Sequence, residues 1–230
     1  MKLKHLVIIP DGNRRWAKKK ILDIEIGHKK GADRFEKLYE KIAEMKIPYF
    51  SFWGASYDNL TKRSKAEINN LLKLIHSEFE KLLNDERVME NKIKIDVIGR
   101  WEEVFPEDTQ KLINECIQKT KNNSNLFLTF LLAYDGRDEM IHAIDKIKKD
   151  NLEITEENIK KNLWTKNLPP VDFIIRTGVD KDPHNSAGFM MWDTAYSQLY
   201  FTKTLFPDFN ERELEKAINN FKLRERRYGR

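Results

Sequence analysis

His5-Leu-Val-Ile-Ile-Pro10-Asp11-Gly12-Asn13-Arg14-Arg15-Trp16-Ala-Lys-Lys-Lys20 reads as a short strand, a charged turn and a basic helix in direct succession. The apolar, β-branched run Leu6–Ile9 suits a strand buried on both faces. Pro10 and the Asp-Gly-Asn turn end it, and helix-favouring residues follow. A helix starting there offers free backbone N–H groups and the positive end of its dipole to an anion. Arg14 and Arg15 add planar donors suited to phosphate oxygens. They oppose the helix dipole, which is a local cost unless an anion offsets it. The Asp11 carboxylate beside them suits a divalent cation, and a diphosphate would bridge cation and arginines. The plainer reading stands next to this one: Asp11 or Asn13 as simple helix caps, and Lys18–Lys20 as a solvated face.

Working outward, further strand-like runs lie at Tyr49–Trp53, Ile93–Ile98, Leu126–Ala133 and Phe173–Ile175, with a weaker one at Leu199–Phe201. Helical patterns fall between them at Ala32–Met45, Ala66–Leu83, Glu107–Lys121, Glu139–Lys149, Thr155–Leu163 and Glu211–Leu223. This alternation predicts an α/β fold, a mostly parallel sheet flanked by helices. No repeat, low-complexity segment or flexible linker divides the chain, so residues 1–230 are expected to form one domain. In such sheets ligands bind beyond the carboxyl ends of the strands. Those ends carry Asp11–Arg15, Ser56–Arg63, Tyr134–Asp138 and Arg176–Asp180, an excess of cations that points to a polyanionic ligand. In the helix Ala66–Leu83, a broad apolar stripe from Ile68 to Leu83 reads either as core or as the wall of a cavity for an apolar ligand.

Composition narrows the function classes. Charged residues are 34% and apolar ones 40%, with a net charge of +5, which permits anionic partners. The charge is spread along the chain and no nucleic-acid module is present, so nucleic acid is not an expected partner. Cys116 is the single cysteine, excluding an internal disulfide or a cysteine zinc site. Neither a Gly-x-Gly-x-x-Gly nor a Walker sequence occurs. The start is too short for a signal peptide and no apolar run approaches the roughly 18 residues of a membrane span, so a cytoplasmic protein is expected.

Several segments together resemble the cis-prenyltransferase family, which includes the undecaprenyl diphosphate synthases. His5–Lys18 is similar to its opening signature, and Gly27-His28-Lys-Lys-Gly31 to its next element. Ser56-Tyr-Asp58-Asn59-Leu60 with Arg63 follows, and then Val171-Asp-Phe-Ile-Ile-Arg176-Thr-Gly. Trp192–Thr202, Phe206-Pro-Asp-Phe209 and Arg224-Glu-Arg-Arg-Tyr-Gly229 complete the series in the family's order.

The resemblance implies a prenyltransferase that condenses isopentenyl diphosphate with an allylic diphosphate, forming cis double bonds and a long-chain lipid carrier precursor. It implies a dimeric α/β fold with a hydrophobic tunnel partly formed by Ala66–Leu83, Mg²⁺ as the metal, and peripheral membrane contact through a lipid product. Asp11 would be the essential acid and carry the metal. Gly12, Asn13, Arg14, Arg15, Trp16 and His28 would cradle the allylic diphosphate. Arg176 and Ser186 would hold isopentenyl diphosphate, with Ser56, Asp58, Asn59 and Arg63 at the junction. Asn59 or Asn13 would lie near the proton that leaves, with released diphosphate as its alternative acceptor.

Four departures from the family pattern bear on this. Ile24 stands where an arginine is usual, and Gln198 replaces a glutamate tied to the metal, making it a weaker, uncharged ligand. The loop Val179–Gly188 is longer than usual, with His184 as the nearest substitute for a second arginine, and Asp180 stands in for a glutamate. They leave two alternatives beside the long-chain enzyme: a synthase of short or irregular prenyl diphosphates, and a non-catalytic subunit of a heteromeric synthase. A non-catalytic subunit would be expected to lack Asp11.

Overall fold

The computed structural model describes residues 2–224. Among these residues are six strands: β1 (His5–Ile9), β2 (Tyr49–Ser56), β3 (Ile93–Ile98), β4 (Leu126–Tyr134), β5 (Phe173–Arg176) and β6 (Gln198–Phe201). They form one sheet in the order β3-β4-β2-β1-β5-β6, with every neighbouring pair parallel. The helices of the first half are α1 (Asn13–Lys19), α2 (Ile24–Glu44), α3 (Tyr57–Thr61), α4 (Lys65–Asn84) and α5 (Glu86–Glu90). Those of the second half are α6 (Trp101–Val104), α7 (Glu107–Thr120), α8 (Gly136–Lys149), α9 (Glu156–Asn162) and α10 (Glu211–Lys222).

β1 is buried along its whole length, as its unbroken apolar run predicts. Leu6 and Ile8 join a large core with Phe35, Leu38, Ile42, Phe79, Ile113 and Phe221 from the helices of one face. Val7 and Ile9 point the other way into a smaller core with Trp53, Leu131, Tyr134, Ile174, Phe189 and Met190. The strand's period of two thus assigns alternate residues to opposite layers. Cys116 is buried on α7, where burial pushes its thiol up to about 12, so it packs rather than reacts.

The crossover from β4 to β5 passes β2 and β1 to reach the other side of the sheet. This places a topological switch point between β1 and β5, where a crevice opens beyond the strand ends. The register sets Ile9 opposite Arg176 there, so Asp11 and Arg176 converge at the rim. In β2, register shifts on either side of Ala55 break the regular ladder, a local irregularity that re-aims Ser56 at the same rim.

The widest departure from the sequence reading is at α2, which begins at Ile24, well before Ala32, while β2 runs on to Ser56 and α8 begins at Gly136. Gly27 and Gly31 are poor helix formers, and here they serve packing. A Cβ on Gly27 would lie 2.3 Å from the Asn13 carbonyl oxygen, and one on Gly31 would lie 2.7 Å from Asn13 Oδ1. Tertiary contact overrides propensity because α2 must press its bare backbone against α1. The Arg226–Gly229 tail lies outside the described residues.

Candidate active site

A cleft of about 1240 Å³ opens at the carboxyl rim of the sheet. Asp11, Gly12, Asn13, Arg14, Arg15, His28, Ser56, Asp58, Asn59, Arg63, Arg176 and Ser186 all line it. Lys18, Asp135 and Arg137 line it as well.

The backbone of Asp11 is held at two points. Its N–H donates to Thr177 Oγ1 at 2.9 Å, and the same hydroxyl donates to the Asp11 carbonyl, also at 2.9 Å. That carbonyl also accepts from the Phe206 N–H at 3.1 Å. The next residue, Gly12, caps α1 with φ +113°, a conformation suited to glycine, and a Cβ there would strike Leu205 at 2.7 Å. The Asp11 carboxylate accepts from Arg15 Nη2 at 3.0 Å and from Arg176 Nη2 at 3.3 Å. Arg176, almost fully buried, also donates from Nη1 to the His184 carbonyl at 2.6 Å and to Ser186 Oγ at 2.7 Å.

Two of the cleft's arginines share one acid: Glu67 of α4 accepts from Arg63 Nη1 at 2.7 Å and pairs with Arg14 Nε at 3.5 Å. His28 is buried beside them. Burial lowers its pKa to about 4, with the charges of Arg63 and then Arg14 adding to the shift and Glu67 opposing it. It is therefore a neutral imidazole near neutral pH. Asn13 Oδ1 is buried with no hydrogen-bond partner among the described residues. Ser56 Oγ accepts from the Asn59 N–H and starts α3, while Asp58 pairs with Lys62.

Three residues singled out from the sequence are not among those lining the cleft. Trp16 faces away from the cleft: its indole donates to Asp208 at 2.8 Å and it packs with Ala17 and Leu205. His184 meets Arg176 through its backbone carbonyl, while its imidazole contacts Asp182 at the surface. Gln198 lies at the amino end of β6, opposite Phe173 and against Arg224, so this fold does not bring it to Asp11. Glu67 and Thr177 were missed as site residues. The Arg176-Thr-Gly segment carried the signal for Thr177, since a hydroxyl beside a strand-end arginine can tie two loops together.

A second cavity of about 590 Å³ lies between the sheet, α2 and α4. Phe35, Phe52, Leu71, Leu74, Ile75, Phe79, Leu82, Phe130 and Leu132 form its apolar walls. Pro10, Asn13, His28, Gly54 and Leu71 line both spaces. A cationic cleft and an apolar cavity therefore meet across a shared boundary.

Residues 9–229 match the family model described as putative undecaprenyl diphosphate synthase. The chain belongs to the cis-prenyltransferase family. Among relatives of this prenyltransferase, an isoprenyl transferase of Fusobacterium nucleatum is 40% identical over 229 residues, covering 98% of this chain and 95% of the relative. A tritrans,polycis-undecaprenyl-diphosphate synthase (geranylgeranyl-diphosphate specific) of Pyrococcus furiosus is 38% identical, covering 99% and 87%. Among solved structures, lavandulyl diphosphate synthase from Lavandula x intermedia, in complex with dimethylallyl diphosphate, aligns with a TM-score of 0.90 at 26% identity, covering 99% and 98%. A probable undecaprenyl diphosphate synthase from Campylobacter jejuni aligns at 0.81 with 29% identity over both full chains.

Proposed function

We propose that this cis-prenyltransferase joins isopentenyl diphosphate to an allylic diphosphate where the two cavities meet, and that its product is a long-chain polycis-prenyl diphosphate, a lipid carrier precursor. The observation that carries this reading is the shared boundary itself. A substrate with a diphosphate head and an apolar tail needs cations on one side of a junction and hydrocarbon on the other.

In the reaction, the allylic C–O bond breaks and its electron pair leaves on the diphosphate. The π electrons of isopentenyl diphosphate form the new C–C bond, and a proton is lost to restore a double bond. Negative charge grows on the leaving group, so fixed cations stabilise the transition state more than the ground state. Arg14, Arg15, Gly12, Asn13 and neutral His28 are assigned to the allylic diphosphate, and Arg176 with Ser186 to isopentenyl diphosphate. Arg63, Ser56, Asp58 and Asn59 border the junction. Asn13 and Asn59 lie in the same cleft. An amide is a weak base, so either asparagine orients the proton and the released diphosphate accepts it.

Asp11 is the essential acid in this reading. Among the described residues no group of three or more His, Cys, Asp or Glu side chains could hold a metal ion alone. A single carboxylate suits Mg²⁺ shared with substrate phosphates, since that ion is held by one or two carboxylates plus phosphate oxygens and waters. Asp11 would hold it, and bound Mg²⁺ supplies charge neutralisation at the leaving diphosphate.

A shorter or irregular product is the second reading, favoured by the backbone likeness to lavandulyl diphosphate synthase. Retention of Asp11 argues against a non-catalytic subunit. A homodimer in the cytoplasm completes the proposal, and no described helix is long and apolar enough to cross a membrane. The test is incorporation of radiolabelled isopentenyl diphosphate with Mg²⁺ and each allylic starter in turn. Lipid ladders lost in Asp11→Ala support the reading, and their length separates long from short products. Folded protein that incorporates nothing refutes it.

A further inference from the structure

The connection from α1 to α2 carries a backbone cost at one exposed, β-branched residue. The Leu22 N–H bonds the Ala17 carbonyl at 3.0 Å and the Ile21 N–H bonds that of Lys18 at 3.2 Å. This is the Schellman pattern that ends a helix, with Ile21 at the left-handed position usually given to glycine. Ile21 has φ +57°, unfavourable for a β-branched residue, and its side chain is 95% exposed. No burial repays the strain. Leu22, Ile24 and Ile26 follow, each more than a third exposed, so four large apolar side chains occupy six consecutive positions at the surface.

The surrounding charge is basic. From residue 18 to residue 30 the sequence carries Lys18, Lys19, Lys20, Lys29 and Lys30 against Asp23 and Glu25, and Lys30 pairs with Asp33 at 3.1 Å. All five lysines are exposed, and Lys20 lies over the buried Trp16 ring at 5.0 Å. Lys18, Ile21, Leu22 and Ile24 also edge the cationic cleft, so the patch adjoins its mouth. Exposed aliphatic side chains framed by lysines match a surface that is anionic outside and hydrocarbon within.

We infer that the α1–α2 connection docks this enzyme onto anionic lipid bilayers, with Ile21 and Leu22 entering the headgroup boundary and the lysines pairing with lipid phosphates. The inference stands on exposure, strain and charge, and not on the proposed chemistry. Its test uses no diphosphate substrate, so it can fail without touching the catalytic reading.

The experiment is flotation of the full chain with vesicles of phosphatidylcholine alone or mixed with phosphatidylglycerol, at low and high salt. Binding is expected only to the anionic vesicles and should weaken with salt. Ile21→Gly removes the side chain while relieving the left-handed backbone, so its melting temperature should equal or exceed the parent's. Its vesicle partitioning should fall about tenfold, the scale for one aliphatic side chain kept in water. Lys19→Gln with Lys20→Gln should cost about fivefold per charge and flatten the salt dependence. Equal binding to neutral vesicles, no binding at all, or full binding by Ile21→Gly would each overturn the inference. So would an Ile21→Gly variant that changed oligomeric state yet still floated, since the patch would then join two copies of the chain.

Discussion

Replacing Thr177 with valine keeps the shape of a fully buried side chain and deletes one hydroxyl. That hydroxyl both accepts from the Asp11 N–H and donates to the Asp11 carbonyl. The carbonyl retains the Phe206 N–H as a partner, whereas the Asp11 N–H is left with none of those described. One orphaned donor costs about 1–3 kcal/mol and one lost net bond about 1 kcal/mol, so a loss of about 2–3 kcal/mol is expected in urea unfolding. The variant should remain folded. Asp11 would no longer be fixed at the end of β1, and displacement of a catalytic group by about 1 Å can cost about a hundredfold in rate. The kcat for isopentenyl diphosphate incorporation should therefore fall by about ten- to a hundredfold. Thr177→Ser restores the hydroxyl and should recover most of both losses. A serine variant no better than valine, or a valine variant with parental stability and kcat, would refute the assignment of Thr177 as the group that positions Asp11.

Three further outcomes are expected. Chelation with EDTA should abolish incorporation and added Mg²⁺ should restore it; activity in full chelation would remove the metal from Asp11. Leu71→Trp, at the boundary of the two cavities, should shorten the labelled products seen by reversed-phase chromatography, with a stability cost of about 1–3 kcal/mol from overpacking; an unchanged ladder would place the growing chain elsewhere. His5 and His28 are both held near a pKa of about 4, against 6.5 when unfolded. Between those values the unfolded chain binds more protons, so their contribution is complete above about pH 6.5 and is lost as pH falls toward 4. Each is worth at most about 3 kcal/mol, and His28→Gln should flatten the acid side of the stability curve. Glu139 and Asp193, raised by burial, act in the opposite sense, so the parent-to-variant difference is the quantity to read.

What was legible in the sequence followed short-range rules. The β1 run, its Pro-Asp-Gly stop and the arginines behind it gave a strand, a turn and the cationic rim from adjacent residues alone. The six strand segments could be read because each is a short apolar run, and all but the last two are separated by helical patterns. The start of α2 could not, because the reason for Gly27 and Gly31 is Asn13, which packs against them only after folding. Gln198 shows the limit of motif reading. Its place in a segment matched the family, yet its place on β6 puts it at the wrong end of the sheet. Trp16 and His184 turn to neighbours instead of the cleft, since direction along a helix or loop decides which of the two a side chain meets. Glu67 was hidden because an acid on a charged helix face reads as solvent-exposed until Arg14 and Arg63 converge on it.

The position of β1 in the middle of the sheet has a consequence for biosynthesis. The first strand made is bordered by β2 on one side and by β5 on the other, the latter more than 160 residues away in the chain. Asp11 gains its last backbone partner only at Phe206. At about 5–20 residues per second, the ribosome spends roughly ten seconds or more between those points. For that interval the strand has β2 beside it, while its other edge and its arginine-rich turn wait for β5. A nascent or truncated chain can hold four of the six described strands but not the Arg176 side of the rim, so competence for catalysis arrives in one late step, when the carboxyl-terminal quarter closes over the beginning.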